Sequence, residues 1–258
     1  MPSTRREFLL QVGAVPLLRR VWSARWISAA GAPANEYCVC HFRRALELTE
    51  KPARFLVHVS GDNRYQLFVN GSRVCWGPAR GDLFHWRYET VDLAPYLQAG
   101  RNVLAAVVWN FGDLAPIAQI TLQTGFLLQG DSDRERAADT SANWKAIRNE
   151  AYSPLVFTTA QMRGYYAAGP CDRVAASRHP WGWETREFDD SKWPAAAAVG
   201  PAAGREAIDS PSRWMLVPRQ IPLMEESAEG PMKLVSSRGS SFGGHSSEWL
   251  LFDQGYLT

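Results

Sequence analysis

FLVHVSGDNRYQLFVNGSRVCWGPARGD, residues 55–82, decides the fold, because it reads as three strands and two turns with no helical periodicity. Phe55, Val57 and Val59 share one face of an alternating run, and Tyr65, Leu67 and Val69 share one face of the next. Asn70-Gly71 stands between the second run and Arg73–Trp76 and supplies the two positive-φ residues of a two-residue hairpin turn. Gly61-Asp62-Asn63 is expected to be the turn on the other side, since small and self-capping side chains let a chain reverse.

Outward from this stretch the pattern persists. Residues 37–42 alternate, with Tyr37, Val39 and His41 opposing Cys38, Cys40 and Phe42. Asn102–Trp109 is an apolar run short enough for a buried strand, and 117–129 holds one or two more. Asp131–Asp139 is a charged loop, after which Trp144–Ile147 resumes the alternation. Many short strands separated by turns predict an all-β antiparallel sandwich of the jelly-roll, galactose-binding-like type over residues 26–226. Pro194–Glu206 is expected to be surface loop, Ser236–Ser247 a Ser/Gly-rich linker, and Trp249–Thr258 a lone strand. On this reading 227–258 is a linker and the first strand of a following domain.

The chain has 258 residues, 46% hydrophobic and 21% charged, which is globular composition with enough length for a full core. Lys and Arg number 28 against 26 Asp and Glu, so no global field favours nucleic acid as a partner. Thr4-Arg5-Arg6-Glu7-Phe8-Leu9 matches a twin-arginine export pattern, which predicts a signal segment over 1–25 and a periplasmic or extracellular protein; the alternative is a basic, frayed N-terminus. The apolar segment Phe8–Leu18 is too short to span a membrane, which takes about 20 residues. Cys38, Cys40, Cys75 and Cys171 include no C-x-x-C pair, so no thiolate metal site is expected. They read as small buried apolar residues, with one disulfide to Cys75 or Cys171 as the alternative. No phosphate-cradling loop, H-E-x-x-H or G-x-S-x-G motif is present, and no cofactor is expected.

An ordered set of motifs carries a resemblance. FRRALEL (42–48), DNRYQLFVNG (62–71) with its trailing GPARGD (77–82), YETVDLAPYL (88–97), GRNVLAAVVW (100–109), NWKAI (143–147) and FDDSKW (188–193) together resemble the N-terminal β-sandwich of bacterial α-L-rhamnosidases, glycoside hydrolase family 78. LLFDQGYLT (250–258) is similar to the start of the β domain that precedes the catalytic domain there. Gly169-Pro170-Cys171-Asp172-Arg173 departs from the Gly-Glu-x-Tyr-Asp-Ala-Arg run of many members. The resemblance implies that catalysis belongs to an (α/α)6 barrel following this region, so this chain alone is expected to be inactive. It further implies a secreted glycosidase module that supports recognition of rhamnose-containing or other carbohydrate and packs on the catalytic domain; an independent carbohydrate-binding or adhesion sandwich is the alternative.

The residues themselves agree on catalysis. Glycoside hydrolysis needs two carboxyl groups facing across a pocket, whereas Asp189-Asp190 and Glu225-Glu226 are sequence neighbours that an extended chain points to opposite faces. No catalytic residue is assigned. The carbohydrate-contact candidates are Trp181, Trp183, Glu184, Arg80 and Asp82. Indole faces stack on sugar C–H groups, so a platform of Trp181, Trp183 and Trp193 is the alternative to the more common role of tryptophans at a sandwich edge, which is to close the core. Arg80, Asp82, His85 and Trp86 form a loop that carries polar contacts or is simply solvated. Asp189-Asp190-Ser191 is expected to be a self-capping turn, and Asn70 to be committed to its hairpin.

Overall fold

The computed structural model describes residues 20–116, 119–162, 169–207, 210–224, 233–242 and 245–253. They divide into two compact units between Gln220 and Ile221. In the first, two sheets face each other. One has five strands in the order β5 (Ser72–Gly77), β4 (Arg64–Val69), β7 (Gly100–Asn110), β2 (Cys38–Leu48), β9 (Lys145–Arg148). The other has seven, in the order β12 (Ala197–Pro201), β1 (Arg25–Ser28), β8 (Gly125–Gly130), β3 (Leu56–Asp62), β6 (Trp86–Asp92), β14 (Met215–Pro218), β13 (Ala203–Gly204). The expected all-β sandwich is the architecture found. Pairing is antiparallel except where β14 runs parallel to β6 and to β13.

The period-2 pattern explains the layers. Cys38, Cys40 and Phe42 of β2, Tyr65, Leu67 and Val69 of β4, and Leu104, Ala106 and Val108 of β7 meet Val57, Val59, Phe126 and Leu128 of the opposite sheet in the central core. β7 is apolar on both phases because its outer face is covered too: Val103, Ala105 and Val107 pack with Val39 against Trp183 and Trp193. The outer face of the seven-stranded sheet buries Trp26 stacked on Trp214 at 4.5 Å, together with Trp86, Leu127 and Leu216. Most of the tryptophans thus serve burial.

Asn70-Gly71 is the hairpin turn its composition demands, with φ of 52° and 89° joining β4 to β5. The Asn70 side chain is spent there, donating to the Tyr96 carbonyl and Asn102 Oδ1 and accepting from Val103 N–H at 2.9 Å. Gly61-Asp62-Asn63 is not the matching turn. Gly61 and Asp62 still pair with Phe126 and Gly125 in β3, and the chain then crosses to the other sheet. The crossing holds a buried carboxylate, whose Oδ2 accepts from the N–H groups of Leu122 and Gln123 and from Trp214 Nε1.

Three further expectations are corrected. Pro194–Glu206 is sheet edge rather than loop, β12 pairing with β1 from Ala197 to Pro201; backbone pairing at an edge does not need large side chains. The sandwich also begins before residue 26. Ala24 is buried, and Ser23 and Ala24 donate N–H to Gln129 Oε1, so residues 20–25 pack on the seven-stranded sheet. The remainder of the expected signal segment, 1–19, lies outside the described residues. In the second unit, the expected linker is a strand: β15 (Lys233–Phe242) pairs antiparallel with β16 (His245–Asp253) from Lys233↔Asp253 to Phe242↔His245. Trp249, expected in an unpaired strand, has Arg238 as its neighbour. Main-chain pairing is indifferent to serine content, so a Ser/Gly-rich stretch can serve as a strand.

Among the described residues no helix is long and apolar enough to cross a membrane, and no three His, Cys, Asp or Glu side chains converge as metal ligands. None of the four cysteines is in a disulfide; Cys38, Cys40 and Cys75 are buried, Cys171 is exposed, and Cys38 Sγ lies 3.4 Å from Cys40 Sγ, a thiol hydrogen bond rather than an S–S bond.

Candidate carbohydrate site

The outer face of the five-stranded sheet is covered by the segment 175–193, anchored from beneath by Arg43. This side chain is buried on the outward phase of β2, donates Nε to Asp190 Oδ2 at 2.9 Å, and gives its other N–H groups to the carbonyls of Trp183, Thr185 and Phe188. Its guanidinium also sits 5.2 Å from the Phe188 ring centre. Lys145 Nζ reaches Asp190 Oδ1 at 2.7 Å. Burial pulls the Asp190 carboxyl up, but the hydrogen bonds from Lys145 and Arg43 outweigh it and hold it below the usual carboxylate range. Asp189, by contrast, is exposed and accepts from Ser191 N–H, the self-capping turn expected of this sequence.

The platform residues separate on inspection. Trp183 is 5% exposed, its ring 4.1 Å from His41 and 5.4 Å from Phe68, and Trp193 is buried beside Phe188. Both close the outer core and offer no surface for stacking, because the apolar outward phase of β2 and β7 needs a cover. Trp181 is 69% exposed, held edge-on to His179 and by Nε1 to the Ala176 carbonyl. Glu184, in the same segment, is half-buried. His41 is wholly buried, with Nε2 2.9 Å from Asn149 Nδ2, and burial pushes its imidazole down to about 3.

Arg80 and Asp82 stand elsewhere. They follow β5 at the end opposite the Asn70-Gly71 turn, where Gly71 approaches Thr185, so the length of a six-residue strand, roughly 20 Å, separates them from the covering segment. Asp82 is a turn residue, accepting from Phe84 N–H at 2.8 Å and facing His85 Nδ1 at 3.1 Å. The loop is fixed from below by Glu89, a buried carboxylate that burial pushes up while it accepts from Tyr65 Oη, Ala79 N–H and Arg219 Nη1. A Cβ on Gly77 would sit 2.5 Å from Glu89 Oε2. Gly77→Ala is therefore expected to cost about 1–3 kcal/mol of overpacking, read as a lowered denaturant midpoint, and an unchanged midpoint would show that Glu89 moves freely.

Beside this loop the sheet opens into a cleft of about 460 Å³ lined by Arg64, Gln66, Trp76, Trp109, Phe111 and Asp172, among others. Gln66 pairs with Trp76 and Arg64 with Trp109, which sets these side chains on the outward phase, opposite that of Tyr65 and Leu67. The strand β11 (Cys171–Val174), paired to β10 (Tyr152–Leu155), brings in Asp172. Its Oδ1 accepts from Tyr37 Oη at 2.5 Å and its Oδ2 from Trp109 Nε1 at 3.1 Å, so it fixes the plane of one aromatic wall. Burial and this carboxylate raise the Tyr37 phenol well above its ordinary range, keeping it a donor. Arg80 is near enough to this cleft for its charge to act on Arg64. Of the expected contacts, only Arg80 belongs to this neighbourhood. Arg64, Trp76, Trp109 and Asp172 went unassigned in the sequence, although the phase opposite to the core residues of β4, β5 and β7 marks all but Asp172.

Aromatic walls with a cation and a hydrogen-bonded carboxylate suit a sugar ring, which presents apolar C–H faces and a rim of hydroxyls. No family model matches the chain. An α-L-rhamnosidase from Streptomyces avermitilis is 26% identical over 197 residues, 68% of this chain and 16% of its own length. The structure of a GH78 family rhamnosidase from Bacillus sp. GL1 matches with a TM-score of 0.71 and 27% identity, over 85% of this chain and 22% of its own. The α-L-rhamnosidase of Dictyoglumus thermophilum shares the fold, with a TM-score of 0.56 and 17% identity over 84% of this chain and 24% of its own. The chain therefore spans about a quarter or less of each of these three rhamnosidases. In sequence and fold it resembles the N-terminal region of the α-L-rhamnosidases of glycoside hydrolase family 78.

Proposed function

We propose that this chain is a non-catalytic β-sandwich module of an exported, rhamnosidase-like glycoside hydrolase, and that it recognises carbohydrate in the cleft at Trp76 and Trp109. The observation that carries the binding role is the cleft itself: indole and phenyl walls converge with Arg64, Gln66 and Asp172 on a volume of about 460 Å³, within the range of small-ligand clefts. How the Asp189-Asp190 pair is used supports the non-catalytic role. Asp190 is held by two cations and Asp189 caps its own turn, so the two do not face each other across a space a glycosidic bond could enter. The twin arginines at Arg5 and Arg6 support export, and the likeness to much longer rhamnosidases supports a catalytic (α/α)6 domain as its partner.

Trp181 is the competing position, exposed as a stacking surface must be but without converging polar groups. Titration of L-rhamnose and rhamnose-containing oligosaccharides, followed by tryptophan fluorescence, separates the two. Each aromatic contact contributes roughly 1 kcal/mol, so binding should be millimolar and fall about fivefold or more in Trp109→Ala while Trp181→Ala leaves it intact. The reverse pattern, in variants with native circular dichroism, would move the site to the 179–185 segment.

A further inference from the structure

We infer that the cleft is built for an acidic saccharide, a uronate, whose carboxylate is held by Arg64 with Arg80 nearby while its ring stacks on the aromatic wall. The inference rests on the reading of this cleft as a carbohydrate site and narrows its ligand class.

Arg64 opens β4, and its backbone pairs opposite Trp109. Its guanidinium is half-buried and is met by a neutral group: with the Gln119 amide oxygen turned toward it, Nε donates at 3.1 Å and Nη2 donates to the same oxygen. Among the described residues, no carboxylate forms an ion pair with Arg64 or with Arg80. Burial, then the neighbouring Arg80 charge, lowers the proton affinity of the Arg64 guanidinium, the signature of a cation with insufficient compensation. A cation lining a partly desolvated cleft, with a second positive charge close enough to act on it, favours an anion, and the guanidinium N–H groups that do not face Gln119 are donors for its carboxylate.

The carboxylate already in the cleft does not serve this purpose. Asp172 has one oxygen on Tyr37 and the other on Trp109, so its charge orients the wall. Trp109 joins the two poles, its backbone beside Arg64 and its indole N–H on Asp172. A uronate fits this polarity in one sense only: carboxylate toward Arg64 and Arg80, ring C–H face on Trp109, and hydroxyl donors toward the free lone pairs of Asp172. A neutral hexose would leave Arg64 without a counter-charge.

The test is a matched pair of probes on the whole chain. Methyl glycosides of D-glucuronate and D-galacturonate are titrated beside those of D-glucose and D-galactose, with L-rhamnose as a further neutral sugar. The uronates should bind at least tenfold more tightly than their neutral partners, weaken several-fold between 20 and 300 mM salt as a charge contact does, on the order of one Debye length being about 10 Å at 0.1 M, and lose that advantage in Arg64→Gln, checked for native melting. Equal binding of acidic and neutral sugars, lost in Trp109→Ala, would overturn the uronate inference and leave the carbohydrate reading standing. Absence of binding by any of them would overturn both. A uronate preference that survives Arg64→Gln and Arg80→Gln would place the anion elsewhere and overturn the inference.

Discussion

Arg43→Ala should lower the unfolding free energy by about 3–5 kcal/mol, the range found when one partner of a buried ion pair is removed. The guanidinium has no exposed surface, and its loss strands Asp190 together with the carbonyls of Trp183, Thr185 and Phe188. Lys145 still reaches Asp190, which offsets part of the loss. The effect should be local before it is global, with hydrogen exchange rising first in 183–193 while β4 and β7 stay protected. Asp190→Asn should cost less, since the amide oxygen still accepts from Arg43. Its contribution has a defined sign: a carboxyl held below its ordinary value stabilises above that value, and the gain disappears as pH falls through the depressed one. A loss under 1 kcal/mol in Arg43→Ala would mean that the covering segment is held by Trp183 and Trp193 alone.

The second large effect is visible only as a difference between variants. His41 is pushed from an ordinary 6.5 to about 3, so the fold stays fully stabilised above pH 6.5 and loses stability as pH falls from there toward 3. Asp62 is pushed up from 3.8 to about 6 by burial, against the hydrogen bonds it accepts, so the folded chain takes up a proton first and gains stability as pH falls from 6 to 3.8. Each group alone gives a slope of about 1.4 kcal/mol per pH unit, with opposite signs. Between pH 4 and 6 the two nearly cancel. Asp62→Asn should therefore become acid-sensitive in that window relative to the parent, and His41→Phe should become more stable toward acid relative to its own value at pH 6. Urea melts at pH 4, 5, 6 and 7 measure both. The other titrating groups are common to all three chains and drop out of the differences. Parallel pH profiles would show that neither group is buried in solution as it is here.

Alternation made the sandwich legible because a half-buried strand writes its burial directly into the sequence: Tyr65, Leu67 and Val69 could face only inward. The hairpin at Asn70-Gly71 was legible for a similar reason, since its backbone conformation restricts the residues that fit. Gly61-Asp62-Asn63 misleads because turn-forming residues also suit a crossing between sheets, and only the partners of Asp62 distinguish the two. The candidate site was harder to read for a physical reason. A tryptophan in a Pro- and Gly-rich segment looks exposed, yet Trp183 lies under its own backbone because Arg43 draws the carbonyls around it inward. The cleft depends on Asp172 reaching Trp109 across 63 positions of sequence, a relation no local pattern encodes.

The seven-stranded sheet is completed by late arrivals, β12 against β1 and β14 against β6, and the stack of Trp26 on Trp214 joins the two ends of the unit. During synthesis the central strands through Gly130 emerge well before Pro218, a gap of roughly 90 residues that takes about 5–20 s at typical elongation rates. Throughout that interval Trp26, Trp86 and Leu127 have no cover, and two sheet edges stand open. The nascent chain is thus most vulnerable to aggregation, and most in need of a chaperone, after the core between the sheets can already form and before Trp214 has left the ribosome.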